Sequence, residues 1–213
     1  NTARMLECFK SVCYFSRHFP VRAVELEPGE TVPMKGFRVT AFSTQHSVPS
    51  LGYSLEEEQR PGRFNREAAV SLGVPPGPLF GRLQRGQSIE IDGRRIEPHQ
   101  VMGPPRPGRK VVYTGDTRPC ASVEAASRGA DLLIHDCALG SDMADWARET
   151  KHSTAAEAAE TARRAGVAAL VLTHISSRYS EDTSALLREA RSIFDKSTVA
   201  EDLMSLEIRL RDE

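Results

Sequence analysis

The sequence predicts an α/β fold, and three observations predict it. Val111-Val112-Tyr113-Thr114, Leu132-Leu133-Ile134-His135 and Leu170-Val171-Leu172-Thr173 are runs rich in strand-forming residues, with helical patterns between them. Each run leads into a residue able to bind a metal or move a proton: Asp116, His135-Asp136 and His174. His46 follows a further predicted strand, and His152 stands just before a predicted helix. In layered α/β folds, loops converge at the carboxyl ends of strands, so these residues mark one edge of a sheet.

The elements follow in chain order. Asn1–Phe15 is predicted as a helix, with Met5, Leu6, Phe9, Val12 and Cys13 near helical spacing. Val21–Leu26 alternates and is predicted as a strand ended by Pro28-Gly29. Phe37–Phe42 and Leu51–Glu56 are the second and third strands. Residues 60–109 differ in texture, with Pro75-Pro76-Gly77-Pro78, Gly103-Pro104-Pro105 and Pro107-Gly108. They hold a short helical stretch, Asn65–Leu72, and a hairpin, Ser88–Ile96, turning at Asp92-Gly93. Prolines stiffen such a segment and leave it poor in core residues, so 60–109 is predicted as an insertion projecting from the body.

Beyond Lys110, strand Val111–Thr114 leads to helix Ser122–Arg128, and strand Leu132–His135 leads to a loop containing Trp146. Thr154-Ala155-Ala156-Glu157 is a capping box opening an Ala-rich helix that ends at Gly166. Strand Val167–Thr173 and a helix from Asp182 to Phe194 follow, and Leu203–Leu210 is expected to close the sheet as an edge strand. No internal repeat is visible.

Bulk properties narrow the function classes. The 213 residues allow one large domain or two small ones, and 39% hydrophobic with 27% charged residues is ordinary globular composition. No apolar run approaches the roughly 20 residues that a membrane-spanning helix needs, and Asn1–Lys10 has no signal-peptide pattern. Cys8, Cys13, Cys120 and Cys137 are scattered without a Cys-x-x-Cys pair, which argues against a cysteine-rich structural zinc site and for reduced thiols in the cytoplasm. Charge is uneven: residues 60–110 carry ten Lys/Arg against four Asp/Glu, a local +6 in a chain of net −1, leaving −7 elsewhere. Such a basic segment on an acidic body attracts a polyanion, or is a solvated Arg-rich loop.

The candidate residues each have a chemical reading and a plain one. Gly115 permits a tight turn before Asp116, whose two oxygens can bridge two metal ions; Asp116 can equally be a turn or cap residue. His174 ends a strand and precedes small polar residues, as a zinc-binding imidazole often does, and His46 offers a weaker version of the same signal. His152 can donate a proton to a leaving alkoxide, and Asp136 can orient it by accepting its ring N–H. His18 and His99, beside Phe19 and Pro98, are expected at the surface.

Taken together, these runs resemble the ribonuclease Z family of tRNA 3′-processing endoribonucleases, which has the metallo-β-lactamase fold. Gly115-Asp116-Thr117-Arg118-Pro119 is similar to the family's bridging-aspartate motif. Thr173-His174-Ile175-Ser176-Ser177-Arg178-Tyr179 is similar to its last metal-histidine motif, and Lys151-His152-Ser153-Thr154 resembles the loop of its catalytic proton donor. His135-Asp136-Cys137-Ala138 occupies the place that usually reads His-Glu-Ala-Thr, so Asp136 replaces a glutamate with a shorter reach. Pro75–Leu79 and Gly81-Arg82-Leu83 resemble the arm that grips the tRNA body.

The resemblance implies a partial metallo-β-lactamase fold, an αββα sandwich, over residues 1–213, with residues 60–109 as an inserted flexible tRNA-binding arm. It implies metal ligation by His46, Asp116 and His174, and a catalytic pair of His152 and Asp136. Arg178 would hold a phosphate near the site, and Arg60, Arg63, Arg66, Arg82 and Arg85 would meet backbone phosphates. It further implies two zinc ions in a complete site, manganese as a substitute, precursor tRNA as substrate and a homodimer. The family's His-x-His-x-Asp-His motif is absent, and no two of the six histidines lie within five residues of each other. With Asn at position 1, the chain is expected to be the C-terminal part of a longer enzyme with an incomplete site. Two other readings stand beside this one. One is a metallo-β-lactamase-fold hydrolase of a small substrate; the other is a non-catalytic homologue that binds tRNA or dimerises.

Overall fold

The computed structural model describes residues 2–12 and 19–210, so Cys13 and His18 lie outside the described residues. In chain order it contains α1 (Thr2–Val12), β1 (Thr31–Met34), β2 (Phe37–Ser43), β3 (Leu51–Glu57), α2 (Arg66–Ser71), α3 (Pro78–Gln84), β4 (Ile89–Ile91) and β5 (Arg94–Ile96). Then come β6 (Lys110–Tyr113), α4 (Ala121–Ser127), β7 (Leu132–Asp136), α5 (Ala144–Thr150), α6 (Ala155–Ala165), β8 (Leu170–Thr173), α7 (Ser184–Ile193) and β9 (Ser197–Val199). Among the described residues, those up to 56 together with 110–209 form one compact unit, and residues 57–109 form a second.

The larger unit is an α/β structure built on a seven-stranded sheet in the order β1-β2-β3-β6-β7-β8-β9. β6, β7, β8 and β9 run parallel, with Val112 opposite Leu133 and Leu133 opposite Leu170. Their crossovers pass through helices, as parallel strands require. Val112, Leu133, Leu170 and Leu172 share a core with Val123 of α4, five alanines of α6, and Leu186 and Ala190 of α7. Each fully buried leucine contributes about 1.5–3 kcal/mol. The α6 alanines 155, 158, 159, 162 and 165 are buried at helical spacing, so their small side chains form the inward stripe. The predicted capping box is present in both directions between Thr154 and Glu157, and Gly166 ends the helix with a left-handed φ of 63°.

Four elements depart from the sequence reading. Val21–Leu26 forms no strand; the first strand is Thr31–Met34, paired with β2 across a two-residue turn at Lys35-Gly36. Pro33 lacks the N–H that a central strand needs, but β1 is an edge strand and tolerates it. Leu203–Leu210 is not a strand either; Ser197–Val199 takes the edge, because β8 offers it a parallel ladder. Trp146 lies in helix α5 rather than in a loop. No side chain caps the start of α5, which removed the usual sign of a helix N-terminus.

The fourth departure is in the 57–109 unit, which has a core of its own. Ala69, Val74, Leu83, Ile89, Ile96 and Val101 are buried together, and the Phe64 and Phe80 rings sit 4.9 Å apart. The expectation of few core residues fails because Pro78 opens a helix instead of prolonging a loop. Proline at the first helical position has no N–H to lose and a φ already suited to the helix. The Asp92-Gly93 hairpin is present, pairing Ile89 with Ile96. At the base of the unit, the Arg109 guanidinium donates Nε to Glu57 Oε2 at 2.9 Å and Nη2 to Oε1 at 2.5 Å. These bonds, with the Arg109 backbone N–H, hold the Glu57 carboxyl down to about 2. Gly62 is required by packing, since a Cβ there would lie 1.9 Å from the Gly103 carbonyl oxygen.

Candidate active site

The parallel β6, β7 and β8 end on one edge of the sheet, and the loops beyond them bring the histidines together. After β6, Gly115 turns the chain with a φ of 62° and places Asp116. Thr117, fully buried, then fixes the neighbouring loop: its Oγ1 accepts the Gln45 N–H at 3.0 Å, and Arg118 N–H donates to the Gln45 carbonyl at 2.8 Å. His46 is the next residue, so the Asp116 and His46 loops are locked by one bridge.

His152 sits between α5 and α6. Lys151, with a left-handed φ of 64°, ends α5 and turns the chain. The His152 backbone N–H donates to the Ala147 carbonyl at 2.9 Å, and its carbonyl accepts from Arg118 Nη1 at 2.6 Å. Arg118 is in turn paired with Glu157, the capping-box residue, at 2.7 Å. The buried Ser153 hydroxyl donates to the Thr117 carbonyl at 2.6 Å. His174, after β8, has a φ of 59°, a left-handed conformation that costs a histidine on the order of 1 kcal/mol.

These anchors yield a compact group. Ligand-type atoms of His46, Asp116 and His152 all lie within 4.8 Å of one another. The His46 and His152 ring centroids are 5.2 Å apart, and the His152 and His174 rings stack at 4.8 Å. His174 Nδ1 lies 3.5 Å from Asp116 Oδ1, beyond a good hydrogen bond. The tightest trio therefore contains His152 in the place that the sequence reading gave to His174.

His152 Nδ1 donates to Asp136 Oδ2 at 2.9 Å, and the Thr117 N–H donates to the same oxygen at 2.9 Å. The shorter aspartate thus reaches the histidine. Asp136 is fully buried, with no hydrogen-bond partner on Oδ1. Burial pushes its carboxyl above the ordinary range, while Thr117 and His152 pull it back. His135 is buried as well; it donates Nδ1 to the Asp136 carbonyl at 2.8 Å, and burial lowers its pKa, so it is a neutral core residue. His99 is exposed in the 57–109 unit.

The residues present fit a divalent metal ion. A carbonyl can only accept, so His46 Nδ1, 3.2 Å from the Lys151 oxygen, carries a proton and leaves Nε2 for coordination. His152 stands in the same relation to the Asp136 carboxylate. An oxygen acceptor on one ring nitrogen is the usual support of a coordinating imidazole. Asp116 offers a carboxylate oxygen to the same group.

Arg178 is exposed, with Nη1 3.3 Å from the Ser176 hydroxyl. It lines a cleft of about 400 Å³ together with His152, His174 and Trp146. In the 57–109 unit, Arg63, Arg66, Arg82 and Arg85 are exposed and Arg60 is half-buried. Sequence reasoning gave no role to Arg118 or Thr117, although both stand in the quoted Gly-Asp-Thr-Arg-Pro run.

Comparison with known proteins points to one family. A family model described as a beta-lactamase superfamily domain matches residues 93–175. The chain is 54% identical over 213 residues to the ribonuclease Z of Methanosarcina acetivorans, covering 100% of this chain and 70% of that protein. It is 51% identical over 201 residues to that of Archaeoglobus fulgidus, covering 94% and 66%. Among solved structures, human tRNase Z, short form, matches with a TM-score of 0.51 at 25% identity, over 84% of this chain and 46% of that one. A metallo-β-lactamase fold protein from Bacillus subtilis matches with a TM-score of 0.57 at 20% identity, over 92% and 58%. Identity above one half along the whole chain, on a fold that structural neighbours share, places this chain in the ribonuclease Z family of metal-dependent hydrolytic endoribonucleases, on the metallo-β-lactamase fold.

Proposed function

We propose that the chain takes part in cutting the 3′ trailer from precursor tRNA, leaving a 3′-hydroxyl on the tRNA. The observation that carries this is the His152–Asp136 hydrogen bond set directly against His46, Asp116 and His174. Divalent ions at that group, zinc or manganese, would lower the pKa of water and offset charge on the scissile phosphate. His46, Asp116 and His174 are the residues that would hold them. His152 Nε2 carries the proton given to the leaving 3′-oxygen, while Asp136 on Nδ1 fixes the orientation of the ring. Arg178 neutralises a phosphate at the cleft, and the arginines of residues 57–109, as an arm, meet tRNA backbone phosphates.

Two zinc ions need more ligands than His46, Asp116 and His174 provide, and among the described residues no second metal-type group occurs. Catalysis by these 213 residues alone is therefore weak, and full activity requires ligands beyond them. The reading includes a homodimer acting in the cytoplasm; no helix among the described residues is long and apolar enough to cross a membrane.

One observation favours a second role for His152. Its nitrogen lies within the 4.8 Å group with His46 and Asp116, so it can serve as a ligand rather than a proton donor. His152→Ala separates the two: intact metal content with severely slowed cleavage marks a donor, and lost metal marks a ligand. The whole reading is tested by incubating a trailer-bearing precursor tRNA with zinc or manganese, using this chain and a form extended at its N-terminus. Cleavage by the extended form supports it. Cleavage by neither moves the assignment to a non-catalytic tRNA-binding homologue, and turnover confined to small esters moves it to a small-substrate hydrolase.

A further inference from the structure

The cleft that holds His152 and His174 has a wall which proton transfer and metal binding do not use. Trp146 lies there, on α5, with 45% of its surface exposed. The next residue, Ala147, is fully buried among Ala138 and Leu139, so α5 is anchored on one side and presents the indole on the other. The backbone ties the ring to the chemistry: Ala147 accepts the His152 N–H at 2.9 Å, and the Thr150 hydroxyl returns to the Trp146 carbonyl at 2.8 Å. A large flat ring held half in solvent loses little on binding another flat ring, because its own freedom is already restricted. Arg178 lines the same cleft and supplies a cation for a phosphate.

We propose that Trp146 is a stacking platform for an unpaired nucleobase next to the scissile phosphate, with Arg178 holding an adjoining phosphate. This rests on the reading of the cleft as an RNA-cleaving site and adds where the base goes. Stacking uses only the π-face, so the subsite accepts any base and favours purines, which offer more overlap.

Trp146 is the one tryptophan in the sequence, so its emission reports this subsite without any reaction. The chain is titrated with hexaadenylate, with ribose 5-phosphate as a probe that has phosphate and no base. Hexaadenylate should quench emission saturably, and ribose 5-phosphate should not. A dye-labelled hexaadenylate should bind Trp146→Ala about tenfold more weakly. Trp146→Phe, which keeps a ring, should recover most of that affinity, and it guards against a folding artefact in the alanine variant. Labelled RNA that binds with silent emission and equal affinity for all three forms overturns the platform and leaves the nuclease reading standing. Absence of binding by hexaadenylate and precursor tRNA alike overturns both. Emission that shifts on dilution without RNA assigns the ring to an interface between copies of this chain, and overturns the platform as well.

Discussion

The Asp136 carboxylate, without exposed surface, accepts the Nδ1 proton of His152 at 2.9 Å, while His152 itself keeps partial access to the cleft. A buried acceptor holding a partly exposed imidazole fixes one tautomer and one orientation, which suits a general acid and a metal ligand alike. Its surroundings are fixed from the other side by Thr117, whose N–H donates to the same oxygen.

Asp136→Asn keeps the shape and removes the carboxylate that accepts the His152 Nδ1–H. In a form competent for cleavage, the rate should fall by about a hundredfold or more, with metal content retained. Single-turnover cleavage alongside metal analysis decides this; a rate within a factor of two of the parent would remove Asp136 from the mechanism.

Asp116→Ala and His46→Ala should each strip bound metal, because they take an oxygen and a nitrogen from the same small group. The measurement is zinc per chain after gel filtration. Full occupancy in Asp116→Ala would exclude it as a ligand.

Removing residues 60–109 should abolish retention of tRNA. Replacing Arg63, Arg66, Arg82 and Arg85 by glutamine should weaken binding and flatten its dependence on salt, by about one unit of slope for each phosphate that is no longer neutralised. Binding measured between low and moderate salt tests this, and an unchanged slope would assign these arginines to solvent.

Glu57 gives a pH prediction whose sign is fixed. Its carboxyl is depressed from 4.5 to about 2 by Arg109, so the pair stabilises the fold fully above the unfolded value. That contribution fades as pH falls through the folded value. The stability gap between the parent and Glu57→Gln should therefore close from about pH 5 to about pH 2. Thermal melts of both forms over this range measure it, and a constant gap would mean that the pair contributes nothing through its charge.

Much of the fold was legible where local pattern and burial coincide. β7 and β8 read as near-continuous apolar runs because parallel strands inside the sheet are covered on both faces. The Thr154 capping box and Gly166 marked α6 because each satisfies helix-end groups locally. β9 was not legible, since three residues of strand exist only through the ladder with β8. β1 was hidden by Pro33, which reads as a strand breaker until its edge position is known.

For the candidate site, the sequence offered the side chains: His46, Asp116, Asp136, His152 and His174 stand in loops or at strand ends, where their chemistry singled them out, and Arg178 came from the family resemblance. The tertiary structure decided which of them meet, because an encounter between residues up to about a hundred positions apart depends on strand order and loop closure. The left-handed turns at Lys151 and His174 and the Arg118 clamp on the His152 carbonyl set those meetings, and no local pattern encodes them. Residue type fixes what a side chain can do; packing fixes what it can reach.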